Sequence, residues 1–490
     1  MNETQQVLIA GAGPTGLMMA CQLSLHNIPF RIIDKNEDHT TQSRAIVIHA
    51  ASMEILAQMG IVEEFLKLGK KVQALNYIVK GRVAAHIPIF STYGTGLTPF
   101  PFFLALEQSK TEQLLIGFLE KRGHTIEWNK ELVSFTQTSE QVQAVVKNKD
   151  TTEEHITAAW LVGADGAKSV VRHVLDIPFG GETYPLDLFV LDCKVSWPLK
   201  DDELCLAFSD TSFAGFFPLP GGYCRIVGIS RDEQGEEEKE LTFEEVNKDF
   251  AREMQMEIKL SDPKWVSRYR AHHRYVSQFR MGRCFLAGDA AHIHSPVGAQ
   301  GMNTGLQDAY NLAWKLAFVI KGQAKTELLD SYGAERLPFA RQLVHSTDRA
   351  FAIAVKKGWY YRIMRLYIMP HIAKMIFRIT KLARYLFRQL SQIGITYPKH
   401  VISGTDTYGQ FSSSAPRPGE RLPYFEFKDT NGLRTHTQQL VSATKLCLLV
   451  FTSDNTSVAA ITKKYSNILS AGYIPFNDYT RDLYKALDIR

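Results

Sequence analysis

A glycine-rich turn near the N-terminus, held between an apolar run and a helical pattern, constrains this chain more than any other feature. Val7-Leu8-Ile9-Ala10 reads as a buried parallel strand, because a strand covered on both faces shows a continuous apolar run. Gly11-Ala12-Gly13-Pro14-Thr15-Gly16 follows, and then a helix over 17–26 with Leu17, Ala20, Cys21 and Leu23 on its buried stripe. Pro29 to Ile33 reads as a second strand that ends at Asp34, 18 positions after the last glycine. In such a unit each glycine has its own task. Gly11 permits the tight turn, Gly13 lets backbone approach a pyrophosphate, and Gly16 lets the helix pack closely on the strand. Pro14 and Thr15 lie where the helix begins, and its N-terminus offers unpaired N–H groups and a positive dipole end to phosphates. Asp34 is placed to accept from a ribose hydroxyl. The unit predicts a dinucleotide site and leaves FAD and NAD both open.

The 490 residues suggest about three domains. A hydrophobic content of 45% with 22% charged residues excludes a disordered chain, a collagen-like chain and a small disulfide scaffold. The net charge of +5 is too small to argue for nucleic acid. It is also local: 349–392 holds ten Lys and Arg and no Asp or Glu, and the remainder has 46 basic and 51 acidic residues. Aromatic residues interleave those charges, so the stretch reads either as helices packed on the catalytic domains or as a weak contact with an anionic membrane surface. The six cysteines are scattered without a Cys-x-x-Cys pair and read as buried free thiols of a reducing cytosol. His292 and His294, two residues apart without a further cluster, read as structural, and no metal is expected. No secretory signal and no membrane span is expected, which makes the cytoplasm the expected location.

Further along, 111–121 reads as a helix and 157–162 as a strand leading into Gly163-Ala164-Asp165-Gly166. From about 180 to 275 short β-rich runs alternate with turns such as Pro220-Gly221-Gly222, which predicts an antiparallel sheet; the acidic run 232–240 within it reads as a solvated loop. A strand over 283–287 leads into Gly288-Asp289, and a helix is predicted over 302–320 with Leu306, Ala309, Ala313, Leu316, Ala317 and Ile320 on one face. Residues 349–392 read as helices interrupted by Gly358 and Pro370, followed by a linker rich in Ser, Gly and Pro over 409–419 and a final α/β segment.

With Gly288-Asp289-Ala290-Ala291-His292 and Ser295-Pro296-Val297-Gly298-Ala299-Gln300-Gly301-Met302-Asn303 in place, the chain resembles the flavin-dependent aromatic hydroxylases of the para-hydroxybenzoate hydroxylase and phenol hydroxylase type. Ser43-Arg44-Ala45, Glu54-Ile55-Leu56, Gln108 with Glu112, Asn311-x-x-Trp314 and Tyr332-x-x-Glu335-Arg336-x-Pro338 extend the resemblance in order over roughly residues 5–345.

The resemblance implies an α/β fold: a Rossmann-like FAD-binding domain (1–75, 104–180 and 276–345), an antiparallel-sheet substrate domain (76–103 and 181–275), a helical segment (346–404) and a small C-terminal thioredoxin-like α/β unit (405–490). The last is carried by Arg417-Pro418-Gly419-x-Arg421 and 446–451; it has no Cys-x-x-Cys, and the chain ends near Leu487, earlier than in that branch. The resemblance also implies an FAD-dependent monooxygenase. NADH or NADPH, a transient co-substrate, reduces FAD, and O2 and a flavin hydroperoxide hydroxylate a small aromatic or polyketide-like molecule. The protein is expected as a monomer or homodimer. Asp165 and Gly166 would lie near the pyrophosphate, Gly288 and Asp289 at the ribityl chain, Arg44 and Gln108 on the flavin cofactor, and Pro296 beside the flavin ring. Gly301, Met302 and Asn303 open a helix whose N-terminus stabilises negative charge on the reduced flavin.

Two positions depart from the family: Ala299 stands where a second glycine is common, a change expected to be tolerated, and Ala51 stands where many relatives carry arginine. Phe213, Phe216, Phe217 and Pro218, with 99–103, are candidates for an apolar pocket wall or for ordinary core. Tyr184, His272 and Tyr223 are open candidates for a general base. Rival readings are a same-fold enzyme that oxidatively inactivates a tetracycline-type antibiotic, a halogenase or reductase, and a flavin-binding module without turnover.

Overall fold

The computed structural model describes residues 5–41, 45–210, 212–229, 241–356, 358–398, 402, 416–428, 432–451 and 456–487. Arg44, the acidic run 232–240 and most of the 409–419 linker lie outside the described residues.

The N-terminal unit forms as its pattern demands: β1 (Gln5–Ala10), α1 (Pro14–Leu25) and β2 (Phe30–Ile33). β1 runs parallel to β2 on one side and to the strand Glu153–Gly163 on the other, which pairs in turn with Cys284–Leu286. The register brings Ala10 level with Ile33 and Gly163, and Gly163 level with Leu286. Every segment singled out by its glycines therefore leaves the sheet at the same edge, the carboxyl ends of parallel strands, where open α/β sheets hold their ligands. The first half of Glu153–Gly163 turns away into an antiparallel meander with Val142–Lys147 and Glu131–Gln137.

The predicted antiparallel sheet has eight strands. In spatial order they are His292–Ile293, Lys259–Val276, Phe179–Ser196, Tyr223–Ile229, Phe213–Pro218, Glu203–Phe208, Ala74–Val79 and Arg82–Ile87. One pairing breaks the pattern: Glu203–Phe208 and Ala74–Val79 run parallel, which splices an early segment into a late sheet. The period-2 geometry of a strand divides the aromatic run here. Phe213 and Phe217 pack against the large core cluster shared with the first sheet, whereas Phe216 points to the opposite face, against Phe250 and Trp197. The four-residue wall read from sequence is thus two walls.

The helix predicted over 302–320 spans Gly301–Ile320 and packs on α1. The next helix, Asp330–Val355, carries Tyr332, Glu335 and Arg336 inward. Arg336 Nε donates to Asp308 Oδ1 at 2.6 Å, and Asp308 Oδ2 also accepts from His292 Nε2 at 2.7 Å and from the Gly288 backbone at 3.1 Å. All three side chains are buried. Burial alone would raise the Asp308 pKa, but Arg336 and His292 outweigh it and hold the carboxyl below its ordinary value. Two turns along the same helix Lys315 donates to Glu335 at 2.7 Å and Asn311 at 2.8 Å, and burial lowers its pKa to about 8. These pairs account for the Asn311 and Glu335–Arg336 signatures as packing devices between two helices.

Beyond Val355 the break at Gly358 occurs as expected, with φ at +125°. Pro370 interrupts less than predicted. The chain runs helically from Trp359 to Arg378, and a π-turn at Met364–Ile368 sits just before the proline, whose ring lacks the N–H that a regular ladder needs. The break that sequence missed is at Ile379, extended at φ −100° and ψ 97°, before a final helix Thr380–Leu390. The C-terminal α/β unit contains parallel strands Leu446–Val450 and Leu469–Tyr473 joined through the helix Thr456–Lys464.

Asp308→Ala leaves Arg336 buried without its carboxylate, and the expected loss is about 3–5 kcal/mol, measured by denaturant unfolding. Because the Asp308 pKa is depressed in the fold, its contribution is complete above the ordinary carboxylate range and fades as pH falls through the lowered value; the variant should lack that part of the acid dependence.

Candidate functional site

The three glycine-marked segments meet along one surface. Gly11 has φ +101°, and a Cβ there would lie 2.3 Å from the Ala164 carbonyl oxygen, so only glycine allows the turns after β1 and Glu153–Gly163 to touch. A Cβ at Gly16 would lie 1.9 Å from the Gly11 oxygen, the close helix-on-strand packing expected. Gly13 differs from both: its φ is −72° and nothing lies within 4 Å of where its Cβ would be. Its lack of a side chain answers to no protein neighbour, which is what a cradle for a ligand requires.

A cleft of about 280 Å³ opens beside this turn. It is lined by Gly11, Gly13, Asp34, Gln108, Asp165 and Gly166, and by Thr40, Trp128, Lys130 and Lys168 among others that sequence did not single out. Asp34 Oδ2 accepts from the Ala12 N–H at 2.7 Å and Oδ1 from Asn36 at 2.8 Å; the carboxylate keeps further lone pairs for a hydroxyl. Gln108 Nε2 donates to Glu112 at 2.9 Å and its Oε1 accepts from Ala45 N–H, while Glu112 also accepts from the Thr40 N–H. This pair ties Thr40 and Ala45 to the same helix start. Asp165 caps the short helix Val170–Val174, accepting from the N–H groups of Val170 at 2.7 Å and Val171 at 3.2 Å. Its other oxygen is buried without a hydrogen-bond partner, and burial raises its pKa. Asp165 is thus a turn-and-cap residue that also leaves an acceptor in the cleft wall.

Gly288, Asp289 and the Pro296–Asn303 stretch do not line that cleft; they continue its surface past the N-terminus of α1. Thr15 is the joint. A Cβ on Gly288 would lie 2.5 Å, and one on Gly305 2.2 Å, from Thr15 Oγ1, so two glycines admit one threonine between the strand-end turn and the helix Gly301–Ile320. Asp289 is exposed in the 3₁₀ turn Gly288–Ala290. Pro296 precedes the turn Val297–Ala299, and Met302 packs on the large core cluster that Phe217 also borders. The Asn303 side chain is spent within the protein: it accepts from His49 N–H at 2.8 Å and donates to the carbonyls of Val47 at 2.8 Å and Ala299 at 3.1 Å. Only the backbone of that helix start remains for a ligand. Ala299 itself has φ +52°, the left-handed region that glycine occupies freely. An alanine held there carries a backbone strain of about 1 kcal/mol.

Sequence reasoning missed His49. It is fully buried, its Nε2 lies 3.0 Å from the Gly298 oxygen and 3.1 Å from that of Ala299, and its Nδ1 has no partner. Two carbonyl acceptors place the proton on Nε2. No spacing marks His49, because its partners lie about 250 positions away. Burial lowers its pKa to about 4, and does the same to His294, whose Nδ1 donates to the Ser295 carbonyl at 2.7 Å. Of the three candidate bases, Tyr184 reaches this region: it packs with Val297, and its hydroxyl donates to Asp348 at 2.5 Å. His272 pairs with Thr183 at 2.8 Å, and Tyr223, half-buried at the start of an interior strand, is bonded to Asp262.

Gly13→Val is expected to fold with an unchanged melting temperature and to bind FAD at least about tenfold more weakly, measured by flavin titration; equal loss of stability and flavin would assign Gly13 to packing instead. The buried histidines predict a pH effect. Their folded pKa values lie below the unfolded one, so stability is complete above about pH 6.5 and falls as pH drops toward 4, by up to about 3 kcal/mol for each ring. His49→Gln should flatten that slope in denaturant titrations at stepped pH.

Comparison with known proteins agrees with this geometry. Residues 4–347 match the family model described as "FAD binding domain". The chain is 40% identical over 356 residues to the 6-methylpretetramide 4-monooxygenase of Streptomyces rimosus, covering 72% of this chain and 63% of that relative, so the match spans less than two thirds of its length. It is 31% identical to the 12-dehydrotetracycline 5-monooxygenase/anhydrotetracycline 6-monooxygenase of Streptomyces rimosus subsp. rimosus, over 87% of this chain and 82% of that one. The solved structure of the OxyS anhydrotetracycline hydroxylase from Streptomyces rimosus superposes with a TM-score of 0.75 at 27% identity, covering 96% of this chain and 89% of the other. The chain belongs to the FAD binding domain family.

Proposed function

We propose that the chain is an FAD-dependent monooxygenase that uses NADH or NADPH and O2 to hydroxylate an aromatic, polyketide-like small molecule. The observation that carries this reading is the alignment of Ala10, Ile33, Gly163 and Leu286 at one sheet edge, which builds a single extended cradle for one dinucleotide. The relatives named for pretetramide and tetracycline compounds support a polycyclic phenol as substrate class. The cysteines are all free and five are buried, which supports the cytoplasm as compartment.

In this reading 1–75, 104–180 and 276–345 hold FAD. The N–H groups at the start of α1 and the bare backbone of Gly13 take the pyrophosphate, Asp34 a ribose hydroxyl, and Asp289 the ribityl hydroxyls. Bound FAD supplies the redox chemistry, taking electrons from the nicotinamide and activating O2. The chain's own contribution is placement and charge. The N-terminus of Gly301–Ile320 stabilises negative charge on the cofactor through its backbone N–H groups and dipole. Phe213 and Phe217, from the sheet of 181–275, border the same large apolar core as Phe100, Phe102 and Phe103, and that core shields the site from water. Tyr184 and Asp348 are the orienting pair: burial, and then the Asp348 carboxylate that accepts its hydrogen bond, keep the proton on Tyr184 Oη, whose remaining lone pair can accept a hydrogen bond from a substrate hydroxyl.

The test follows O2-dependent NAD(P)H consumption by FAD-loaded protein across simple phenols and polycyclic phenolic polyketides. A polycyclic substrate should stimulate consumption about tenfold or more and yield a product carrying one oxygen atom from labelled O2. Tyr184→Phe should lower the substrate-stimulated rate at unchanged flavin content. Flavin binding with no stimulation by any compound would defeat the enzyme reading in favour of a binding module.

A further inference from the structure

The helical segment after Val355 has an inner face that the fold explains and an outer face that it does not. On the inner side Leu366, Ala383 and Phe387 are buried. Tyr77 donates to the Arg365 carbonyl at 2.7 Å, Tyr93 donates to that of Phe377, and the Phe387 ring closes over Gly94. These contacts seat the segment on the strand Arg82–Ile87 and the short helix Ile89–Tyr93.

The outer side carries the apolar surplus. Of the twenty large hydrophobic residues exposed among the described residues, nine fall within the 27 positions from Trp359 to Tyr385. Trp359 is 77% exposed, Tyr367 55% and Met375 57%. Met375 lies on the helix Met369–Arg378, Ile379 at the break that follows, and Leu382 and Tyr385 three residues apart on one face of Thr380–Leu390, an exposed apolar cluster over two consecutive helices. Soluble surfaces scatter such residues singly; a cluster marks an interaction site. Lys374, Arg378, Lys381 and Arg388, all exposed, flank it. No acidic residue occurs between 349 and 392, and the neighbouring Asp210 is already paired with Lys80 and Arg362.

We infer that this outer face, from Trp359 to Arg388, docks the protein on an anionic membrane surface. Trp and Tyr combine an apolar ring with a polar tip and settle at a bilayer's interface, the aliphatic side chains enter beside them, and Lys and Arg reach up to lipid phosphates. The contact is peripheral, since among the described residues no helix is long and apolar enough to cross a membrane. An acidic protein partner would answer the cations but would also need a matching groove for a cluster spread over several helices; a bilayer interface accepts both chemistries without one.

The experiment co-sediments the full-length, FAD-loaded protein, without substrate, with phosphatidylcholine vesicles and with vesicles also containing phosphatidylglycerol. Binding should favour the anionic vesicles by about tenfold or more and weaken as salt is raised. Lys374→Gln and Lys381→Gln should each lower it by about fivefold. Ile379→Ser with Trp359→Ser should lower it while flavin content and melting temperature stay as in the parent. Equal binding to both vesicles, unchanged binding by the variants, or equal capture by a soluble polyanion such as heparin would overturn the inference. Self-association abolished by the same variants, without vesicle binding, would assign the face to a second copy and overturn it as well.

Discussion

A buried carboxylate fixes the relation between the parts of the cofactor half. Asp308 takes Arg336 from one helix, His292 from the edge strand and the backbone N–H of Gly288 from a strand-end turn. A buried ion pair adds little net stability compared with a well-packed apolar substitute, but its geometry tolerates few alternatives, since any arrangement that separates the charges leaves one unpaired in a dry interior. The turn bearing Asp289 is therefore set by the same contact that sets the crossing of two long helices. Thr15, wedged between Gly288 and Gly305, then carries this position to the start of α1.

The second sheet is joined to this frame by segments that cross between the halves. Ala74–Val79 enters it in parallel with Glu203–Phe208, and His49 ties an early loop to the Gly298–Ala299 carbonyls. Strand alternation sends Phe213 and Phe217 toward the shared core and Phe216 away from it, so one short run serves two interiors. The helical segment closes over the outer strands with one face and leaves a basic, aromatic face outside, which separates a surface property from the redox site.

Much of this was legible in sequence where the signal is local. A continuous apolar run, three glycines and an acidic residue at fixed spacing are consequences of one turn and one helix entry, and β1, α1 and β2 follow them closely. The long helix Gly301–Ile320 was legible because its buried stripe spans five turns. Other features had no local mark. His49 looks like any histidine until the fold brings Gly298 to it. Asn303 belongs to a recognisable motif, yet its side chain serves the protein rather than a ligand, and Asp165 serves both a helix cap and the cleft. The kink at Ile379 carries neither glycine nor proline; on its two sides Phe377 packs on Tyr93 and Phe387 on Phe90 and Gly94, contacts nearly 300 positions away that no local signal marks.

By itself the sequence determined the glycine-marked turn between β1 and α1, because its backbone conformation and close approaches are set within a few residues that only glycine satisfies. It also determined the family and the local origin of the charge excess. Tertiary structure decided which motif residues line the cleft and which are consumed by packing, which tyrosine stands near Ser295–Val297, and which face of the basic helices remains outside. Those outcomes depend on partners 100 to 300 positions apart, and such contacts are specified by burial and register across the whole fold rather than by any short run of residues.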